Sequence, residues 1–266
     1  MRVIAIVQAR TGSTRLPGKV LHDLGGDTML ARVIRRTRRA GLLENAVVAT
    51  TTSSQDDPVV AECRRLDVPW FRGNEHDVLD RYFSAAEAFR AEGIVRITSD
   101  CPLIDPGLID RVIGAFLANR PDYASNFLER TYPRGLDNEM MTFDGLAQAW
   151  LDAERPYQRV HVTPYFYENP DLFRLFPVKH DCNLSDRRWT VDTPDDMQFA
   201  RAIYARFGGD DQFTWQEVLQ LLEAEPQLEE LNRHVRHKKL CDESLGTSST
   251  SANVEKPATR RPAQAN

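Results

Sequence analysis

The chain has 266 residues, an apolar share of 41% and a formal net charge of −5 at pH 7. That length can bury a core as one large domain or one domain plus extensions, and the mild acidity argues against a dedicated nucleic-acid binder. No apolar run is long enough to cross a bilayer, MRVIAIVQAR lacks a signal-peptide cleavage pattern, and four scattered cysteines without a CxxC pair read as reduced thiols, so a cytoplasmic protein with no membrane partner is expected.

Val3 to Val7 is an apolar, β-branched run that reads as a buried parallel strand. The stretch QARTGSTRLPGKVL follows from Gln8 and has features of a phosphate-binding loop. It is not a P-loop, which needs four residues between Gly and Gly-Lys, then Ser or Thr. Five residues separate Gly12 from Gly18, Val20 stands at the hydroxyl position, and Pro17 has no N–H to offer. What remains is three cations, Arg10, Arg15 and Lys19, with Gly12, Ser13 and Thr14. Arg forks and a Lys point charge suit a triphosphate.

Met29 to Ala40 predicts an amphipathic helix whose Arg32, Arg35, Arg36, Arg38 and Arg39 read as a solvated face. Strands are predicted over Ala46 to Thr51, Val68 to Phe71 and Gly93 to Thr98. Helices are predicted over Asp56 to Leu66, Asp77 to Ala91 and Gly107 to Leu117. This alternation argues for a mostly parallel sheet flanked by helices, with ligands at the carboxyl ends of its strands. Short β-like pieces follow from Tyr123 to Phe143. Helices are then expected over Asp144 to Ala153, Arg159 to Glu168, Pro194 to Phe207 and Thr214 to Ala224. Strands are expected over Leu172 to Val178 and Arg188 to Val191. The composition beyond residue 240 predicts a disordered tail over 241–266, after a domain of residues 1–240.

Two aspartates follow predicted strands. Asp100, in ITSDCPLID, stands where a Mg²⁺ carboxylate is placed in many nucleotide sites; the bland alternative is a turn cap. Asp192, in RWTVDTPDD, taken alone reads as a helix cap, and paired with Asp100 it becomes a second metal carboxylate. Asp105 reads as a helix start and Cys101 as a small buried residue. His161 lies amid apolar residues and, taken alone, reads as structural.

Together these stretches resemble the cytidylyltransferases that activate sugar acids, such as the CMP-Kdo and CMP-acylneuraminate synthetases. The likeness is greatest to the spore coat polysaccharide biosynthesis protein F group. GNEHDVLDRYFSAA, VRITSDCPLIDP, YPRGLDNEM, HVTPYFYENP and RWTVDTPDDM carry it further, over about residues 1–207. One departure is Thr98-Ser99 where the family has Gln-Gly.

The resemblance implies a Rossmann-like nucleotide-diphospho-sugar transferase fold, a mixed sheet with a small β-rich arm over about 123–180 that often joins two subunits into a homodimer. It implies that Arg10, Gly12, Ser13, Arg15, Lys19 and Ser99 bind the nucleotide, with Lys19 and Arg10 catalytic. Asp100 and Asp192 would hold Mg²⁺. Asp137, Glu139 and His161 would lie toward the acceptor. The implied reaction moves CMP from CTP to a small acidic sugar-like acceptor. Transfer from UTP or dTTP to a sugar phosphate, and a non-catalytic binding protein of the same fold, are the other readings.

Overall fold

A computed structural model describes residues 1–236 of the protein; the tail expected over 241–266 lies outside the described residues. The first half alternates β1 (Val3–Gln8), α1 (Met29–Arg38), β2 (Asn45–Thr51), α2 (Asp57–Arg65), β3 (Trp70–Gly73), α3 (Val78–Ala88), β4 (Gly93–Thr98) and α4 (Pro106–Asn119). The second half adds β5 (Tyr123–Ser125), β6 (Glu139–Thr142), α5 (Phe143–Asp152), α6 (Pro156–His161), α7 (Pro164–Glu168), β7 (Leu175–Pro177), α8 (Pro194–Arg206) and α9 (Trp215–Ala224). The strands form one sheet in the order β3-β2-β1-β4-β6-β5-β7. β1 to β4 are mutually parallel, and β6 runs antiparallel between β4 and β5. Residues 123–180, the expected arm, contribute β5 and β7 as a parallel pair within this sheet, with β6 beside them.

The alternation of side chains along β1 explains the layering. Val3, Ala5 and Val7 face one core with α1, α2, α4, α8 and α9, while Ile4 and Ile6 face another with α3, α5 and α7. Both faces of β1 are therefore covered by helices, as its unbroken apolar run requires. The connection leaves β1 toward β2 on one side, whereas β4 lies on the other. This reversal of strand order is where open α/β sheets leave a crevice. Gln8 pairs with Thr98, so the loop after β1 and the turn after β4 emerge side by side.

Three expectations are corrected. Arg188 to Val191 is not a strand; it makes one isolated parallel bridge, Arg134 to Arg188, because its backbone is shared between residue 134 and Asp100. The helix expected over Arg159 to Glu168 divides at Pro164 into α6 and α7. The linker is a γ-turn: Thr163 N–H donates to His161 O at 2.9 Å, with Val162 at φ 72° and ψ −55°. Finally, the basic face of α1 is not all solvated. Arg36 is fully buried, and its guanidinium donates to the carbonyls of Ile104, Asp211 and Phe213 at 2.7, 2.8 and 2.9 Å. Arg32 is also buried, donating to Leu24 O and paired with Asp211 at 3.0 Å.

Candidate active site

The loop after β1 folds back on itself. Ser13 N–H and Gly18 N–H both donate to Thr11 O, at 2.8 and 2.9 Å, and Lys19 N–H donates to Leu16 O. Gly18 makes the final reversal at φ 66°, a conformation that penalises any side chain. A single 3₁₀ turn, Lys19–Leu21, then delivers Lys19 into the crevice. Arg10, Gly12 and Thr14 are exposed, and Ser13 and Arg15 are half-buried. The loop thus presents its cations at the carboxyl edge of the sheet.

Lys19 is the centre of the arrangement. Its ammonium donates to Val191 O at 2.8 Å and to Asp192 Oδ1 at 2.9 Å, and lies 3.5 Å from Asp100 Oδ2. Burial alone would lower its pKa, but the charges of Asp100 and Asp192 outweigh that and raise it above its ordinary value. Asp192 shows the converse. Burial would raise its pKa, yet Lys19, Arg15 and Arg188 hold it below the usual carboxylate range. Arg15 and Arg188 each reach Asp192 Oδ2 at 3.1 Å.

Local sequence explains why Asp192 is available. Thr193, not Asp192, caps α8: its hydroxyl accepts from Asp196 N–H, and the Asp196 carboxylate accepts from Thr193 N–H in return. Asp196 also accepts from Asp192 N–H and pairs with Arg188 at 2.8 Å. The segment is docked on the turn after β4, where Val191 N–H donates to Asp100 O at 2.8 Å. Asp105 behaves as a cap, accepting from Leu108 N–H at 2.9 Å at the start of α4. Cys101 is buried, and burial followed by the Asp100 charge pushes its thiol far up, which makes it a poor nucleophile.

The two carboxylates fit a magnesium ion. Both face one point, and the Lys19 ammonium stands there as the cation. Among the described residues no group of three or more His, Cys, Asp or Glu forms a metal cage. Magnesium suits such a pair, since it takes one or two protein carboxylates and fills its remaining positions with phosphate oxygens and water.

The other expected residues engage other partners. Ser99 is buried and its N–H donates to Gln8 O at 3.2 Å. Asp137 is half-buried and grips Arg130 through both oxygens. Glu139 is 1% exposed; its carboxylate receives Arg96 across the β4–β6 pair and the hydroxyl of Tyr123. His161 closes α6 beside the γ-turn and is half-buried. Arg188 and the Val191 carbonyl complete the centre and were not singled out from the sequence. Arg188 reads there as a strand residue, and a carbonyl leaves no side-chain signal.

The sequence pattern of the family described as Cytidylyltransferase matches residues 4–238. An uncharacterized protein of Methanocaldococcus jannaschii is 39% identical over 240 residues, spanning 90% of this chain and 97% of the relative. The spore coat polysaccharide biosynthesis protein SpsF of Bacillus subtilis is 32% identical over 235 residues, spanning 84% of this chain and 95% of that one. The solved structure of a cytidylyltransferase from Leptospira borgpetersenii has a TM-score of 0.84 at 33% identity, covering 89% of this chain and 100% of its own.

Proposed function

This chain belongs to the cytidylyltransferase family, and on that premise we propose that it moves CMP from CTP onto an acidic sugar or a related acid, with magnesium as cofactor. The observation that carries the proposal is the meeting of Lys19 with Asp100 and Asp192 at one point. A loop of cations facing two carboxylates is a place for a metal-bound polyphosphate.

In this reading an acceptor oxygen attacks the α-phosphorus of CTP. The bond from that phosphorus to the β-bridging oxygen breaks, pyrophosphate leaves, and the acceptor's proton passes to solvent. Arg10 and Arg15 hold the triphosphate in line, and Lys19 neutralises charge on the transferring and leaving groups. Asp100 and Asp192 would hold the magnesium ion, which supplies charge stabilisation to phosphate oxygens when bound. Gly12, Ser13 and Ser99 line the nucleotide side. Asp137 and His161 belong to the acceptor side, and Glu139 supports that side through Arg96 and Tyr123.

In YPRGLDNEM, burial and then the charge of Arg130 lower the pKa of Arg134, and Asp137 offsets them in part. The likeness to SpsF points to surface polysaccharide precursors.

The test is direct. The protein is incubated with magnesium, each of CTP, UTP, dTTP and ATP, and a panel of acidic sugars, and pyrophosphate is measured. Release with CTP and one acid supports the proposal. Release only with UTP or dTTP and a sugar phosphate overturns its nucleotide half. Absence of any magnesium-dependent CTP binding overturns it altogether.

A further inference from the structure

We propose that Asp56 is a positioning residue for the cation loop, acting through Thr11; the inference rests on reading residues 10–19 as the nucleotide-binding loop. Asp56 is 3% exposed and occupies the N-cap position of α2. An Asp at that position ordinarily accepts an N–H of its own helix's first turn. Asp56 makes no such bond. Its Oδ1 instead accepts Thr11 N–H at 2.7 Å and the Thr11 hydroxyl at 2.8 Å. Its Oδ2 accepts the hydroxyl of Thr51 at the end of β2. The carboxylate has been taken from local capping and spent on a residue 45 positions away.

Thr11 is the knot of the loop. Its carbonyl accepts the N–H groups of Ser13 and Gly18, which close the loop. Its hydroxyl also lies 3.1 Å from Gln55 O. Both backbone polar groups and the side chain of Thr11 are thus engaged, and the shortest outward ties run to Asp56. The two neighbouring cations, Arg10 and Arg15, flank this knot. The loop's other end is tied at Lys19 to Asp100 and Asp192, groups that a bound nucleotide and its metal would engage. The Asp56 tie, with the Gln55 carbonyl beside it, is independent of the site's chemistry. It can therefore hold the loop in its binding shape before and after the nucleotide arrives, which spares ordering entropy.

Charge and geometry can be separated by substitution. In Asp56→Asn the amide oxygen keeps both Thr11 bonds, and the NH₂ can donate to the Thr51 hydroxyl, which accepts as well as donates. Asp56→Ala loses all three bonds. The experiment measures magnesium–CTP binding by calorimetry and amide hydrogen exchange of residues 10–19 without nucleotide, on the full chain. Asp56→Ala is expected to weaken CTP binding by about tenfold or more and to speed exchange at Ser13 and Gly18, while Asp56→Asn stays within about threefold of wild type. Thr11→Val keeps the N–H and loses the hydroxyl, and is expected to fall between them.

Asp56→Asn as damaging as Asp56→Ala overturns the proposal, because charge rather than position would then matter. So does Asp56→Ala with wild-type affinity and exchange. Should Asp56→Ala fail to fold, Thr11→Val decides: wild-type affinity and exchange in that variant overturn the proposal. A wild-type protein that binds no CTP overturns the nucleotide reading alone, and the exchange measurement still decides whether Asp56 holds the loop.

Discussion

Lys19 Nζ lies 2.9 Å from Asp192 Oδ1, so a cation of the loop and a carboxylate of the opposite rim neutralise one another directly. The same ammonium is 3.5 Å from Asp100 Oδ2. In the proposed function, a lysine and a divalent cation would therefore compete for one pair of carboxylates.

Lys19→Met should expose that competition. Without nucleotide, Mn²⁺ binding measured by electron paramagnetic resonance is expected to tighten by about tenfold, equivalent to roughly 1.4 kcal/mol. With CTP and acceptor, the same variant should lose about 2–4 kcal/mol of transition-state stabilisation, read as kcat/KM for pyrophosphate release. Unchanged Mn²⁺ affinity would show that the two carboxylates do not share a cation site.

Asp100→Asn and Asp192→Asn should differ in stability while both suppress turnover. Asp192 receives Lys19, Arg15 and Arg188, whereas Asp100 meets Lys19 only at the longer distance. Neutralising Asp192 removes the carboxylate shared by Lys19, Arg15 and Arg188, and should cost about 1–3 kcal/mol in urea unfolding. Asp100→Asn should unfold within about 0.5 kcal/mol of wild type. Equal losses would contradict the geometry.

Acid should act through Asp196. This fully buried carboxylate would have its pKa raised by burial, but Arg188 and the Asp192 N–H lower it below 3.8. A lowered folded pKa contributes stability that is fully present above the unfolded value and is lost as pH falls through the folded one. Unfolding free energy should therefore decline below about pH 4, and Asp196→Asn should flatten that decline. A variant with the wild-type acid slope would assign the decline elsewhere.

Gly135 has no room for a side chain. Its φ is +104°, and a Cβ would lie 2.5 Å from Thr190 N and Trp189 C. Gly135→Ala must shift the segment that carries Asp192, and should destabilise by about 3 kcal/mol or more, seen in thermal unfolding, with loss of activity even where folded protein is recovered. Near-wild-type behaviour would show that the segment yields.

The basic helix α1 marks where sequence reading stops. Apolar periodicity located the helix, since burial alternates at helical spacing. It could not tell Arg36, which serves three buried carbonyls supplied from the distant residues 104, 211 and 213, from exposed Arg38. Arg36→Ala should accordingly cost about 3 kcal/mol or more and Arg38→Ala within about 0.5, by urea unfolding.

The site divides in the same way. The β1 loop and Asp100 are legible because each follows a parallel strand, and parallel strands bring such ends together; Asp192 reads as following a strand that does not form, and it is placed instead by the docking of Val191 N–H on Asp100 O. Asp56 is legible only as a helix start, because its choice of Thr11 over its own helix depends on how β1 and β2 are paired. Arg188 to Val191 reads as a strand from its apolar and β-branched residues, yet it joins none of the seven strands of the sheet. Its backbone is taken by Arg134 and Asp100 instead.

The tie between Lys19 and Asp192 spans 173 positions of chain. During synthesis the N-terminal loop emerges long before the carboxylate that meets its lysine. The strands β1 to β4 can pair meanwhile and bring Asp100 with them, but Asp192 arrives only when the α8 segment docks. The union of the loop's lysine with both carboxylates is thus a property the nascent chain acquires late, after its sheet is largely built.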